Sequence, residues 1–336
     1  MDEQVRFLSP HRVGIVEVSE AAPLAGQVRV RVQRCGICGS DLHVFRRDAE
    51  VPRICPGHEI SGIIDALGSE AGTRLREGDA VVIEPLQRCG RCNRCQAGDY
   101  HLCSRLELFG VSQPGGMATH VIVPGYSLFT LPSALDFDLG ALAEPAAVTV
   151  HAARLGGARA GSRVLVLGAG TIGLLALAAA RHLGASFVAV TARHPHQREM
   201  ARALGADQVL APDELRTLAE KPDLVLETVG GSATTVADAV KAVQRGGTVV
   251  IIGLFDATPA FDPFVMLLKE VRLIGSMVYN TPRDGADFAV ALDVLAQRAD
   301  VLRGLVTHRF PLADVQHAFE TAADKKSGAV KVLLEP

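Results

Sequence analysis

The alternation of apolar and polar residues changes character about halfway along the chain. Before residue 130, the two kinds alternate in short segments bounded by Gly or Pro, which is typical of half-exposed β-strands. The predicted strands cover residues 13–18, 28–32, 60–64, 80–83 and 119–123. This pattern predicts a β-rich, barrel-type domain that carries loops.

From Arg163 onward, short apolar runs alternate with segments of helical length. The predicted strands are 164–167, 187–191, 208–210, 224–227, 248–252 and 272–275, with helices such as 174–183, 195–204 and 233–243 between them. This order predicts a doubly wound parallel sheet. Beyond Gly275 we predict a helix over 285–299, a strand near 306–310, a helix over 312–323 and a strand over 329–334. We expect this tail to return to the first domain.

The first strand of the second half runs directly into a glycine-rich turn. Residues 168–173 read Gly-Ala-Gly-Thr-Ile-Gly, and an Ala/Leu-rich helix follows. In such a turn Gly170 lets backbone approach a pyrophosphate, and Gly173 lets helix and strand pack closely. The helix N-terminus would face the phosphate charge. The context predicts a dinucleotide site that includes Gly168, Gly170, Thr171, Ile172 and Gly173.

Composition and charge narrow the class of protein. The length of 336 residues suggests two domains, and 48% hydrophobic with 21% charged residues is ordinary for a soluble α/β protein. The net charge of −3, with both signs mixed, does not indicate a nucleic-acid surface. The longest apolar run, residues 164–180, contains three glycines and is too short for a membrane span. The N-terminus lacks a signal-peptide pattern, so we expect a cytoplasmic protein.

Four of the seven cysteines lie in one short segment, residues 88–104. Without an export signal, this usage indicates thiolate–metal chemistry rather than disulfides. Four thiolates can close a tetrahedral shell around zinc, and the interleaved arginines favour the thiolate form. Reduced thiols or a disulfide pair are the alternatives. We predict a structural zinc lobe whose ligands are Cys89, Cys92, Cys95 and Cys103.

A second group of candidate ligands is scattered over three segments. It consists of Cys38, then His58 and Glu59 about twenty residues later, and Glu144. One thiolate, one imidazole and one carboxylate leave a fourth coordination position for water or substrate, as in catalytic zinc sites. A histidine alone, whether His43 or His58, is more often an ordinary histidine. The combination with Cys38 favours a metal site.

These motifs resemble those of the zinc-dependent medium-chain dehydrogenase/reductase family, nearest its sorbitol (polyol), butanediol and threonine dehydrogenase branch. The resemblance covers nearly the whole chain. It is carried by Cys-Gly-Ile-Cys-Gly-Ser-Asp-Leu-His at 35–43, Gly-His-Glu at 57–59, Gly-Asp at 78–79, the four-cysteine lobe, Gly-Gly at 115–116, Glu-Pro at 144–145 and the glycine-rich turn. It implies an α/β fold: a GroES-like catalytic domain (1–143 and 277–336), a Rossmann domain (144–276) and an active site in the cleft between them.

The resemblance also implies roles for individual residues. Cys38 and His58 would bind a catalytic zinc, so that each chain holds two zinc ions. The third ligand stays open: we favour Glu59, with Glu144 able to exchange in. Asp41 would orient the imidazole of His58 without binding the metal itself.

The implied reaction follows from the Lewis acidity of zinc. The metal lowers the pKa of an alcohol, and hydride then passes to nicotinamide. Ser40 would accept the proton, and the nicotinamide ribose would pass it to His43. Glu59 and Glu144 make the pocket polar. We therefore expect a secondary alcohol or ketone of the polyol, diol, cyclitol or amino-alcohol class.

The end of the second predicted strand bears on the choice of nicotinamide. Relatives that use NAD carry Asp where this chain has Ala192, and an acidic group there would repel a 2′-phosphate. Arg193 offers a planar cation that suits phosphate, and His194, His196 and Arg198 add to it. The alternative is a solvated basic turn. We predict that NADP(H) is preferred and that NAD(H) is possible.

Other functions stay open at this point. One is an NAD-dependent threonine-type or simple alcohol dehydrogenase, and another is a zinc-free quinone or enone reductase, which would lack Cys38 and His58. A third is a non-catalytic protein that binds nucleotide or zinc, which Ser40, Asp41 and His43 argue against. We expect no nucleic-acid or membrane partner. The resemblance and the apolar segments 249–252 and 273–279 suggest a homodimer or homotetramer.

Overall fold

The computed structural model describes residues 1–281, 285–324 and 326–336. This part of the chain divides into two compact units, residues 1–144 with 303–336 and residues 145–302. Buried aliphatic side chains form a core within each unit. No helix among the described residues is both long and apolar enough to cross a bilayer.

The N-terminal part of the first unit consists of short, mostly antiparallel strands, as the alternation predicts. Its elements are β1 (Asp2–Ser9), β2 (Arg12–Val18), β3 (Gln27–Gly36), α1 (Gly39–Arg46), β4 (Glu59–Leu67), β5 (Ala80–Ile83), β6 (Leu86–Gln87), α2 (Asn93–Gln96), β7 (Glu107–Leu108), β8 (His120–Pro124), β9 (Leu128–Thr130) and α3 (Phe137–Gly140). Along β3, Val28, Val30 and Val32 are buried while the intervening arginines are more exposed. This alternation places one face of the strand in the core.

The second unit is a parallel sheet with helical connections. Its elements are α4 (Ala143–Leu155), which begins at the unit boundary, β10 (Arg163–Leu167), α5 (Thr171–His182), β11 (Phe187–Thr191), α6 (Pro195–Ala203), β12 (Gln208–Leu210), β13 (Leu224–Glu227), α7 (Thr235–Ala242), β14 (Thr248–Ile251), α8 (Pro263–Lys269), β15 (Arg272–Gly275), α9 (Asp287–Gln297) and α10 (Ala299–Leu302). The strand order is β12-β11-β10-β13-β14-β15, and all pairs are parallel. The predicted doubly wound sheet is confirmed.

The last elements return to the first unit. They are β16 (Val306–Pro311), α11 (Val315–Ala323) and β17 (Lys331–Glu335). β17 lies between β16 and β3 in a sheet of order β16-β17-β3-β4-β5-β9, to which β8 adds by pairing with β3. Short 3-10 turns lie at Tyr100–Leu102, Gly125–Ser127, Pro212–Thr217, Arg303–Leu305 and Leu312–Asp314.

The boundary between the units differs from the one expected. The sequence placed residues 277–336 with the first domain, but residues 277–281 and 285–302 belong to the second unit. α9 packs against α5, and its Asp287 accepts hydrogen bonds from His151 and Arg154 of α4, each at 2.8 Å. These contacts keep the chain on the second unit until residue 303.

Candidate active site

The four cysteines of residues 88–104 form one cluster. Their sulfur atoms lie within 4.8 Å of one another. The Sγ of Cys95 is 3.5 Å from that of Cys92 and 3.9 Å from that of Cys89, and all seven cysteines are free thiols. These separations are far above the ~2.05 Å of a disulfide. Four thiols at this spacing fit a closed tetrahedral zinc site.

Backbone N–H groups favour the thiolate form, which binds metal, in one cysteine of this cluster. Hydrogen bonds from the N–H groups of Arg91 and Cys92 lower the pKa of Cys89 to about 6. Desolvation and the neighbouring thiols raise the pKa of Cys95 to about 12. The leading causes therefore differ from the arginine charges that we expected. Arg88 instead stacks on the rings of two tyrosines, with its guanidinium carbon 4.1 Å from the centroid of Tyr100 and 5.0 Å from that of Tyr126.

The second candidate cluster lies where β3 and β4 meet. Donor atoms of Cys38, His58 and Glu59 lie within 4.8 Å of one another. The antiparallel register sets Gly36 opposite Glu59, and a Cβ at position 36 would overlap the Glu59 carboxylate. His58 and Glu59 are buried and Cys38 is half-buried. One thiol, one imidazole and one carboxylate in a partly dry site fit a catalytic zinc centre.

The buried ring of His58 lies among negatively charged groups. Burial alone would lower the pKa of His58, but the thiol of Cys38, as charge and hydrogen-bond partner, and the carboxylates of Asp41 and Glu144 raise it well above the usual value. Its Nδ1 is buried and has no hydrogen-bond partner among the described residues. Asp41 therefore acts on His58 through its charge and, among the described residues, accepts no hydrogen bond from the His58 Nδ1. The Asp41 carboxylate instead accepts the N–H of Cys38 at 2.9 Å, because it caps the first turn of α1.

Lys331 is a neighbour of this site that the sequence analysis missed. It lies on β17, and its Nζ is 2.7 and 2.6 Å from the two oxygens of Glu59. Burial alone would lower the pKa of Lys331, but the negative charges of Glu59, Cys38 and Glu144 raise it. The only signal in the sequence is a lysine inside an otherwise apolar C-terminal strand.

The remaining predicted catalytic residues lie at the edge of the cluster. Glu144 is buried and contributes negative charge near His58, but it is not one of the three grouped donors. Ser40, in the first turn of α1, is half-buried, and His43 is exposed. Three residues apart on a helix, Ser40 and His43 lie on the same face.

The glycine-rich turn joins β10 to α5 as expected. Gly168 has φ +99°, a backbone conformation that favours glycine, and its N–H donates to the Oγ1 of Thr191 at 2.9 Å. A Cβ on Gly173 would overlap the carbonyl oxygen of Gly168. Gly170 immediately precedes α5, so Thr171 and Ile172 form its first turn and their N–H groups begin the helix. A turn of this kind can bind a pyrophosphate at the helix N-terminus.

Basic side chains gather at the end of β11. Ala192 is buried, and its carbonyl oxygen accepts a hydrogen bond from the Nε of Arg198 at 3.0 Å. Arg193 is exposed, and the rings of His194 and His196 stack with centroids 5.6 Å apart. Arg198 is thus anchored to the strand end, whereas Arg193 projects from it.

Glu227 fixes a loop beside the glycine-rich turn and was also missed. It is fully buried at the end of β13, and its Oε1 accepts hydrogen bonds from the N–H groups of Val229 and Gly230 and from the hydroxyl of Thr235, at 2.7–3.1 Å. The hydroxyl of Thr228 donates to the carbonyl of Leu167 at 2.7 Å. The loop after β13 therefore lies along one side of the glycine-rich turn.

Comparison with known proteins gives a consistent family. The alcohol dehydrogenase GroES-like domain matches residues 24–133, and the zinc-binding dehydrogenase family matches residues 171–297. The chain is 32% identical to 2-dehydro-3-deoxy-L-galactonate 5-dehydrogenase from Pseudoalteromonas atlantica over 98% of its own length and 97% of the relative. It is 32% identical to sorbitol dehydrogenase from Bacillus subtilis, covering 92% of this chain and 90% of the relative.

A solved structure supports the same relationship. A putative zinc-binding dehydrogenase from Sinorhizobium meliloti 1021, bound to NADP, superposes with a TM-score of 0.89 at 32% identity. The match covers 100% of this chain and 99% of the other. Sequence and fold thus agree along the whole length, and the chain belongs to the zinc-dependent alcohol dehydrogenases of the medium-chain dehydrogenase/reductase family.

Proposed function

We propose that this enzyme transfers hydride between NADP(H) and a secondary alcohol or ketone of a polyol, diol, cyclitol or amino-alcohol. The observation that carries the proposal is the grouping of Cys38, His58 and Glu59 within 4.8 Å. The related sorbitol and 2-dehydro-3-deoxy-L-galactonate dehydrogenases act on polyhydroxylated substrates, which supports this class.

Two metal sites follow from the donor sets. We assign Cys38, His58 and Glu59 to the catalytic zinc and the four-cysteine cluster to a structural zinc. When bound at the first site, zinc supplies Lewis acidity that favours the deprotonated form of a substrate hydroxyl. The grouping of the donors supports Glu59 over Glu144 as the third ligand. Glu144, buried nearby, adds negative charge that favours a polar, hydroxyl-bearing substrate.

We assign the movement of the substrate proton to α1. Ser40 is half-buried two residues after Cys38, so its hydroxyl can accept a proton close to the cluster. His43 is exposed on the same helix face and can release that proton to water. Both steps use ordinary hydrogen-bond exchange and no change in the fold.

Replacing the Ser40 hydroxyl tests this assignment. The Ser40→Ala variant should lose roughly 10²-fold in kcat, the usual contribution of one general acid–base group, because the proton then lacks its first acceptor. Zinc content and thermal stability should stay at wild-type values. Unchanged turnover, measured beside zinc content by atomic absorption, would remove Ser40 from the proton path. Ser112→Ala, an exposed serine outside the cluster, is the control.

The cofactor assignment uses the end of β11. Ala192 leaves no negative charge against a 2′-phosphate, and the exposed Arg193 supplies a positive one. Arg198, anchored on the carbonyl of Ala192, adds a second fixed cation there. The Sinorhizobium relative with bound NADP supports the same choice. We therefore expect a higher kcat/KM with NADP(H) than with NAD(H).

The Arg193→Ala substitution should weaken the binding of NADP without affecting that of NAD. Losing one charge-assisted phosphate contact should raise KM for NADP by about tenfold, while KM for NAD stays unchanged because NAD has no 2′-phosphate. Steady-state kinetics with both cofactors measure the difference. Arg202→Ala, an exposed arginine near the end of α6, is the matched control and should change neither KM. A wild-type preference for NAD would defeat the assignment.

We also propose that the protein is a homodimer or homotetramer. β15 is an edge strand of its sheet, and Phe264 and Leu267 on α8 are more than 60% exposed. An open strand edge and exposed large apolar side chains favour burial against a second copy. Light scattering during size-exclusion chromatography should give a mass of two or four chains, and a monomer would refute this.

A substrate panel tests the proposed function as a whole. We expect NADP-dependent oxidation of at least one sugar alcohol, diol or cyclitol. L-Threonine belongs in the same panel, because threonine 3-dehydrogenases are among the relatives, for example one from Deinococcus deserti with 31% identity. Activity with threonine and NAD alone would favour the threonine-type alternative. No activity with any alcohol would contradict the proposal.

A further inference from the structure

The ion pair between Lys331 and Glu59 is complete in its hydrogen bonding. The ammonium of Lys331 has three acceptors, namely both carboxylate oxygens of Glu59 and the carbonyl oxygen of Ile37 at 3.2 Å. Since an ammonium group has three N–H bonds, every donor has a partner. The side chains of Lys331 and Glu59 are 4% and 1% exposed, so water contributes almost nothing to the pair.

The partners of Lys331 belong to the two segments that carry the metal donors. Ile37 immediately precedes Cys38, and Glu59 immediately follows His58. The backbone reinforces this connection, because the N–H of Ile37 donates to the carbonyl of Val332, the residue after Lys331, at 3.0 Å. One side chain of β17 is therefore joined to both parts of the cluster.

Stability alone does not account for this arrangement. Two buried charges lose their hydration, and a buried ion pair commonly contributes no more to stability than apolar side chains of similar volume. The neighbours of Lys331 along β17 (Val332, Leu333 and Leu334) are buried apolar residues, so an apolar side chain at 331 would suit the strand. The pair includes Glu59, one of the candidate metal ligands, so the charge of Lys331 can affect a bound metal directly.

We infer that Lys331 is a positioning residue that restricts Glu59 to a single oxygen ligand for the catalytic metal. This inference rests on the proposed assignment of Cys38, His58 and Glu59 to zinc. Both oxygens of Glu59 contact the ammonium here; if one of them stayed there when zinc binds, the carboxylate would hold the metal through the other oxygen alone. A coordination position would then stay open for substrate, and the positive charge of Lys331 would keep a bound metal a stronger Lewis acid.

The charges around the cluster give the direction of the effect. Asp41 and Glu144 add negative charge near His58, and Lys331 is the one buried ammonium that faces Glu59 among the described residues. Removing it would leave the cation in a more negative site and free the second oxygen of Glu59. Both changes strengthen the attraction between zinc and protein.

The test replaces Lys331 by Met in the zinc-loaded, full-length enzyme. Zinc should leave the catalytic site roughly tenfold more slowly when a chelator is added, because the site is more negative. The acid limb of the pH profile of kcat/KM should move up by about one pH unit, because the metal is a weaker Lewis acid. Lys331→Arg keeps the charge and should restore both values toward wild type.

Controls separate this effect from general damage to the fold. Lys269→Met removes a partly buried lysine whose Nζ donates hydrogen bonds to the carbonyls of Val240 and Lys241, and it should change neither value. If Lys331→Met does not fold, Lys331→Gln removes the charge while keeping hydrogen-bond donors. A crystal structure of the zinc-loaded wild type provides a test without substitution, with one Glu59 oxygen on the metal and the other on Lys331 expected.

Three results would overturn the inference. They are unchanged or faster zinc release in Lys331→Met, both Glu59 oxygens on the metal in the wild type, and failure of Lys331→Arg to restore the pH profile. A wild-type chain that binds only the four-cysteine zinc would instead refute the underlying metal assignment. Zinc stoichiometry before the variants are compared distinguishes these two failures.

Discussion

The Cys38→Ser variant should lose kcat/KM by about a thousandfold or more while its fold is retained. Zinc contributes several kcal/mol to the stabilisation of charge in the transition state, and a serine hydroxyl is a much weaker zinc ligand than a thiolate. Because Cys38 is half-buried just before α1, the exchange of sulfur for oxygen should disturb packing little. We expect zinc content to fall from two ions to one per chain.

The matched control is Cys55→Ala. Cys55 is another free thiol of the first unit, and burial raises its pKa to about 12. Its Sγ faces the carbonyls of Pro56 and Met117 rather than a metal donor. This variant should keep two zinc ions and most of the activity. Equal losses in both variants would mean that Cys38 supports the fold rather than the metal.

The Cys103→Ser variant should have its main effect on stability. Cys103 is the buried member of the four-thiol cluster, and a zinc shell with one weak ligand holds its metal poorly. Structural zinc in peptide sites binds with ~10–16 kcal/mol, so weakening this site should lower the free energy of unfolding by about 3 kcal/mol or more. The protein that remains folded should keep its catalytic zinc and most of its turnover.

Two measurements check this prediction. Urea unfolding gives the free-energy difference, and zinc analysis of the folded fraction gives the stoichiometry. Ser104→Ala, at an exposed neighbouring position, is the control and should behave as wild type. Full stability in Cys103→Ser would mean that the four thiols do not hold a structural metal.

The elements that could be predicted are those specified by local pattern. The central parallel strands of the second unit are short apolar runs, and the turn at Gly168 needs a residue that accepts a positive φ. The four-cysteine cluster could be predicted for a similar reason, because its members are close in sequence. The pairing of β3 with β4 then brings Cys38 close to His58. This proximity was expected from the resemblance to known dehydrogenases.

The features that could not be predicted depend on long-range contacts. Lys331 meets Glu59 across 272 residues, and no local pattern reports the register of β17 against β3. The sequence analysis linked Asp41 to His58 alone and missed that its carboxylate accepts the N–H of Cys38 at the start of α1. The amphipathic pattern of α9 predicts a helix with one buried face but does not say which unit that face packs on. Its packing on α5 therefore could not be predicted from the sequence.

The central claim is that an accessible zinc held by Cys38, His58 and Glu59 drives the reaction. The most direct measurement is zinc content and activity, followed together during mild chelation of the purified enzyme. We predict two zinc ions per chain, loss of one in step with all activity, retention of the four-thiolate zinc, and recovery when zinc is added back. Full activity after the accessible zinc is gone would contradict the claim.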